Sequence, residues 1–113
     1  MPVLKSKETP SQKVTDGLER KLIHLDNLMT VICEFTNGPM VQPDPPHSHP
    51  HEQITYIAEG EVYVFIDGIR THLVKGDVFA VPGGIPHGIQ TLTEYAKLID
   101  TFTPIRQEFI LAK

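Results

Sequence analysis

From residue 21 onward, short apolar runs rich in β-branched residues recur at intervals of about ten residues, and turn-forming residues close most of them. The runs occupy 21–25, 29–35, 53–58, 61–67, 69–74, 77–81, 88–92 and 96–103. Asp67-Gly68 separates two of them, and a two-residue Asp-Gly loop specifies a hairpin. Glu59-Gly60, Lys75-Gly76 and Pro82-Gly83-Gly84 supply further reversals. Helical periodicity is absent apart from a possible turn near 15–20. The pattern predicts an all-β, antiparallel jelly roll or barrel. The domain is expected over 17–113, with 1–16 a loosely ordered arm that packs only with help from elsewhere.

At 113 residues the chain supports one modest core. A net charge of −4 and no basic stripe argue against nucleic acid or an anionic membrane surface as partner. No apolar stretch reaches the length of a membrane-spanning helix, and the first residues lack the apolar core of a signal peptide. The single cysteine, Cys33, lies within an apolar run and reads as a small hydrophobic filler. Nothing here calls for an oxidising compartment, so the cytoplasm is expected.

Two segments break the strand pattern. Residues 38–46 carry Pro39, Pro43, Pro45 and Pro46 and read as a stiff loop; 82–86 is similarly punctuated. Each leads into histidine. The first opens on His47-Ser48-His49-Pro50-His51-Glu52-Gln53, the second on His87. In extended chain His47 and His49 face the same way, about 7 Å apart at the backbone. A turn through 50–52 would bring Gln53 opposite them, with His87 arriving from a separate strand. These four residues are the expected ligands of a divalent transition metal such as zinc, nickel, iron or manganese. A carboxylate at position 53 would cancel part of the ion's charge, whereas the neutral Gln53 leaves the ion a stronger Lewis acid and a poorer reductant. His51 lies in the turn and is expected behind the ligands. His24 and His72, isolated in apolar strands, read as satisfied structural histidines.

These residues resemble the two motifs of the cupins. His47-x-His49-x(3)-Gln53-x(6)-Gly60 follows the first motif with Gln in the Glu place, and Gly76, Pro82, Gly84 and His87 follow the second, with Thr91 in place of Asn. The loop between Gly38 and His47 is longer than the motif's usual spacing. The stretch 47–61, the closing segment 98–109, Asp16-Gly17-Leu18-Glu19-Arg20-Lys21 and Asp26-Asn27-Leu28-Met29 are similar to small single-domain cupins of the KdgF type. The resemblance implies a double-stranded β-helix (jelly-roll barrel) and the metal ligands His47, His49, Gln53 and His87. It also implies functional roles for Asp100, Phe102 and Arg106, which fall on the pattern Asp-x-Phe-x-Pro-x-Arg.

The activity so implied is linearisation of 4,5-unsaturated monouronates to open-chain 5-keto-4-deoxyuronates, in pectin or alginate degradation. The residue types suit it. Arg106 offers a planar fork to a carboxylate, Asp100 an acid–base group, and Phe102 an apolar wall for the sugar ring. Leu98, Asp100 and Phe102 share one strand face, so Asp100 needs a partner; an Asp100–Arg106 salt bridge is the simplest structural account, and Phe102 could equally be core. Gln90 and Tyr56 could also reach a pocket. The competing readings are a cupin dioxygenase, weakened by Gln53, and a non-catalytic cupin that binds a small anion. The expected ligand is an anionic sugar. Open sheet edges and outward apolar residues such as Ile54 and Tyr56 point to a homodimer.

Overall fold

A computed structural model of the chain describes residues 1–111. A 3-10 turn at Ser6–Glu8 is followed by strands β1 (Gln12–Thr15), β2 (Leu18–His24), β3 (Met29–Phe35), β4 (Glu52–Glu59), β5 (Glu61–Ile66), β6 (Ile69–Val74), β7 (Val78–Val81), β8 (His87–Thr91) and β9 (Ala96–Thr103). A short helix, α1 (Gln107–Leu111), closes the described chain. The expected runs 29–35, 69–74 and 96–103 coincide with β3, β6 and β9. Two features differ from expectation. The helical turn expected near 15–20 is the β1–β2 hairpin, in which Thr15 pairs with Leu18 and Gly17 takes a φ of 84°. The stretch 1–16 therefore contributes a strand, and because all four β1 residues are exposed, hydrophobicity carried no sign of it.

The strands form an all-β jelly roll of two antiparallel sheets. The larger runs β1-β2-β3-β9-β4-β7 and the smaller β6-β5-β8. Strict alternation on β4 divides inside from outside: Gln53, Thr55 and Ile57 are buried, whereas Ile54 and Tyr56 are exposed. The neighbouring strand keeps the same parity, so Phe102, Asp100 and Leu98 on β9 lie opposite those three inward residues. Cys33 on β3 pairs with Leu98, and Arg20 on β2 pairs with Cys33, which continues the innermost row outward.

Two apolar clusters fill the interior. One gathers Ile57, Val62, Val64, Phe79, Val81, Ala96 and Leu98 between the sheets. The other joins Met29, Val31 and Phe102 to Ile105 and Phe109 beneath α1. Each buried aliphatic or aromatic side chain is worth roughly 2 kcal/mol, enough to carry a few inward polar residues. Those polar residues sit together at one end, where the loops 38–51 and 82–86 approach. The β4–β5 turn is tight: Gly60 has a φ of 84°, and a Cβ there would lie 2.5 Å from the Tyr95 carbonyl oxygen. Among the described residues no helix is long and apolar enough to cross a membrane.

Candidate metal centre

The two histidine segments are stitched together by backbone. His47 N–H donates to the His87 carbonyl and His87 N–H to the His47 carbonyl, both at 2.9 Å. This isolated antiparallel bridge sets the two rings side by side, with centroids 4.4 Å apart. The 82–86 loop is drawn in further by Gly84 N–H donating to the His49 carbonyl at 2.8 Å. That approach requires Gly83, because a Cβ there would lie 2.4 Å from the Pro50 carbonyl oxygen. The ring nitrogens of His47, His49 and His87 fall within 4.8 Å of one another, a cluster able to hold a metal ion.

The tautomers follow from the carbonyls around the rings. His87 Nδ1 donates to the Ile85 carbonyl at 2.9 Å, which leaves its buried Nε2 without a partner. His49 Nδ1 donates to the His51 carbonyl at 3.1 Å, so its Nε2 carries a lone pair. Desolvation first, and nearby positive groups second, hold His47 and His49 below the usual imidazole range, which favours the neutral, ligating form.

Gln53 shows what the cluster lacks. Its Oε1 lies 3.1 Å from His49 Nε2, so two lone pairs face each other. The amide cannot be turned over without loss. Gln53 Nε2 donates to Thr55 Oγ1 at 2.9 Å, and the single Thr55 proton is given to Asp100 Oδ1 at 2.6 Å. Two converging lone pairs and an orphaned His87 nitrogen are the signature of a cation site. The residues present therefore fit a divalent metal.

The same cavity, of about 180 Å³, is lined by His47, Gln53, His87, Asp100, Phe102 and Arg106. Asp100 is half-buried, opening onto this cavity, while its carboxyl is desolvated. Burial pushes Asp100 up from the usual carboxylate range, against the bonds from Thr55 and Cys33, which pull it down. The Asp100–Arg106 salt bridge, the alternative to a functional role for these residues, does not form. Arg106 instead donates from Nε and Nη2 to Glu108 Oε2, at 3.1 and 2.9 Å, because α1 carries that carboxylate next to it. Its guanidinium stacks 5.1 Å from the Phe102 ring centre and 4.2 Å from that of Phe109.

Phe102 is packed in the core under α1 and lies edge-on to His49, with centroids 5.8 Å apart. Cys33 is more than filler: its thiol points at Asp100 Oδ2 at 3.7 Å, and burial raises its pKa well above the ordinary thiol value. His51 stands behind the site, its Nε2 donating to the Ile105 carbonyl and its ring edge-on to His49. His24 and His72 are exposed and partnered, to the Leu25 carbonyl and Glu61 respectively. Gln90 donates to the Met40 carbonyl, bracing the long loop, and Tyr56 faces outward on the far side of the sheet. Thr55 was not singled out by the sequence. Its signal was parity, since a polar residue two positions after Gln53 on an inward strand face demands a partner.

A cupin-domain family model matches residues 37–102. This chain belongs to the cupin family. The cupin is 39% identical over 105 residues to the pectin degradation protein KdgF of Dickeya dadantii (strain 3937), covering 91% of this chain and 93% of the relative. The solved structure of KdgF from Halomonas sp. superposes with a TM-score of 0.88 at 32% identity, covering 96% of this chain and 98% of that one. An RmlC-like cupin from Shewanella frigidimarina NCIMB 400 superposes with a TM-score of 0.85 at 34% identity, covering 94% and 93%.

Two predictions test the hydrogen-bond row. Thr55→Val keeps the shape of this cupin's interior but removes both the acceptor for Gln53 and the donor to Asp100. We expect it to weaken zinc or nickel binding about tenfold in competition with a chromophoric chelator, with Thr55→Ser restoring most of the loss. Unchanged affinity in Thr55→Val would remove Thr55 from the site. The second concerns pH. A carboxyl whose folded pKa is raised carries no penalty below its unfolded pKa, about 3.9, and a growing one as pH climbs to the folded value. Metal-free Asp100→Asn is therefore expected to melt higher than the parent at pH 7, with the advantage vanishing near pH 3. A lower melting temperature at pH 7 would contradict the assigned direction.

Proposed function

We propose that this cupin is a metal-dependent enzyme that linearises 4,5-unsaturated monouronates to 5-keto-4-deoxyuronates during pectin or alginate breakdown. The observation that carries the reading is the inward row Gln53–Thr55–Asp100, which ties a metal-capable histidine cluster to a desolvated carboxylate in one cavity. The whole-length similarity to a pectin degradation protein supports the substrate class. His47, His49, Gln53 and His87 would hold the ion. A bound divalent ion would supply Lewis acidity toward a substrate oxygen.

The chain's own groups do the rest. Opening the ring moves one proton from the anomeric hydroxyl to C4, while the C1–O5 bond breaks and the enol ether becomes a ketone. Asp100 accepts the hydroxyl proton and returns it to C4, so no net proton is consumed. Burial raises its pKa, which makes the carboxylate a stronger base toward the anomeric hydroxyl. Thr55 and Cys33 donate to its two oxygens and fix the plane of the carboxylate. Phe102 backs the sugar ring, and Arg106 binds the uronate carboxylate with the donors that Glu108 leaves free.

Outward on β4 and the neighbouring β7, Ile54, Tyr56 and Val78 are exposed by 55%, 42% and 55% on the outer face of the six-stranded sheet, continuous with Ile32 and Ile99. A face this apolar supports a homodimer formed through it.

Incubation with unsaturated galacturonate is expected to remove the enol-ether absorbance, to stop on chelation, and to resume on adding back metal. Persistence of the band with metal-replete protein would refute the activity. Oxygen uptake with an enediol would favour a dioxygenase instead. Arg106→Ala is expected to raise KM at least tenfold with metal content unchanged; metal loss in that variant would sink the role given to Arg106. In light scattering the parent is expected as a dimer and the Ile54→Lys/Tyr56→Asp variant as a monomer, whereas a monomeric parent would exclude this interface.

A further inference from the structure

We propose that Arg20 is a second guanidinium anchor in the cavity, and that it reads the ligand's carboxylate together with Arg106. The inference rests on the uronate reading above and deepens it, since nothing in the cupin motifs involves this residue.

Arg20 is an inward residue by register. It pairs with Cys33, which pairs with Leu98, so a guanidinium closes a row that is otherwise apolar. Arg20 is half-buried there, and a charge taken partly out of water is ordinarily given a fixed counter-ion. Arg20 has no such counter-ion. Among the described residues no carboxylate lies within ion-pair distance, and its side chain makes one long hydrogen bond, from Nε to Gln12 Oε1 at 3.4 Å. Its two terminal nitrogens are thus uncommitted. Arg106 differs in this respect, because two of its three nitrogens are taken by Glu108.

The guanidinium is nonetheless held in place. Its central carbon stacks 4.0 Å from the centre of the Phe109 ring, which Arg106 also approaches, at 4.2 Å. Stacking fixes the plane of a guanidinium and leaves its edge donors for an anion. Both arginines line the cavity that holds His47, Gln53, His87 and Asp100. Arg20 and Arg106 lie close enough to repel each other. Glu108, half-exposed, offsets that repulsion in part, and Asp44 lines the same cavity on the long loop. Two guanidiniums sharing one ring, one of them with free donors, form a receptor for a planar anion. The site would thereby discriminate a free uronate from its neutral ester.

The same contacts would also serve to hold α1 through Phe109. Calorimetry on the metal-loaded protein with galacturonate and its methyl ester separates the two. The parent is expected to prefer the acid by at least tenfold. Arg20→Gln should weaken acid binding about tenfold with ester binding within twofold, and Arg20→Lys should fall between. Equal weakening toward acid and ester, or unchanged acid binding, would overturn the anchor. If Arg20→Gln does not fold, Arg20→Lys decides alone, since a point charge replacing a planar fork should reduce acid binding selectively. A parent with the acid preference but no loss of enol-ether absorbance would refute ring opening and leave Arg20 standing. Turnover with kcat/KM unchanged in the Arg20 variants would do the reverse, and a parent that binds neither acid nor ester would overturn the anchor.

Discussion

The reciprocal backbone pair between His47 and His87 is the contact on which the site depends. It ends a row in which the Met40 and Asp44 amides donate to the Thr91 and Ile89 carbonyls, so that the long proline-rich loop lies along β8 and presents its histidine in a fixed relation to His87. Two backbone hydrogen bonds at 2.9 Å place the rings together irrespective of what the side chains do. The prolines contribute by limiting the conformations of the approach, and Gly83 by letting one loop lie against the other's backbone. Order is thus imposed by main chain, and the imidazoles inherit it. A site positioned in this way costs little side-chain entropy when a cation binds.

The rest follows from the two-residue period of β4 and β9. Alternation sends Ile54 and Tyr56 out and Gln53 and Thr55 in, and the antiparallel register sets Asp100 opposite Thr55. One strand pair therefore builds the polar end of the cavity and the apolar outer face simultaneously. A one-residue slip would exchange the two, burying Ile54 where Gln53 belongs. The apolar clusters make such a slip expensive, because Ile57 on β4 and Leu98 on β9 are fully or almost fully buried on the inward face, in one cluster with Val62 of β5. Core packing and the chemistry of the site are in this sense one constraint.

Much of this was legible in the residues. Strand spacing, the Asp67-Gly68 hairpin and the paired histidine segments are local signals, and local signals survive in sequence. β1 was not legible, because its side chains are all exposed and its existence depends on β2 offering an edge. The helix α1 follows Pro104 and is too short for periodicity to reveal it. Its placement carried the largest consequence, since Glu108 on that helix takes Arg106 away from Asp100. The salt bridge that would have been the structural account of Asp100 is absent because a competing carboxylate lies only two residues from the arginine. Thr55 and Arg20 could have been flagged by polarity at inward positions, but which residue each meets is decided across strands, by register.

The neutral side chain at position 53 has a second reason beyond the charge it leaves on an ion. Thr55 has one proton, and Asp100 receives it at 2.6 Å. The residue at position 53 must then be a donor toward Thr55, and Gln53 is one, at 2.9 Å. A glutamate would present only oxygens there. It would either compete with Asp100 for the Thr55 proton or leave two carboxylates facing one hydroxyl, in a desolvated row where neither can be left unpaired cheaply. The amide is thus the choice that is compatible with an inward carboxylate at Asp100. Read in the other direction, the carboxylate fixes the hydroxyl, the hydroxyl fixes the amide, and the amide oxygen is left facing the histidines.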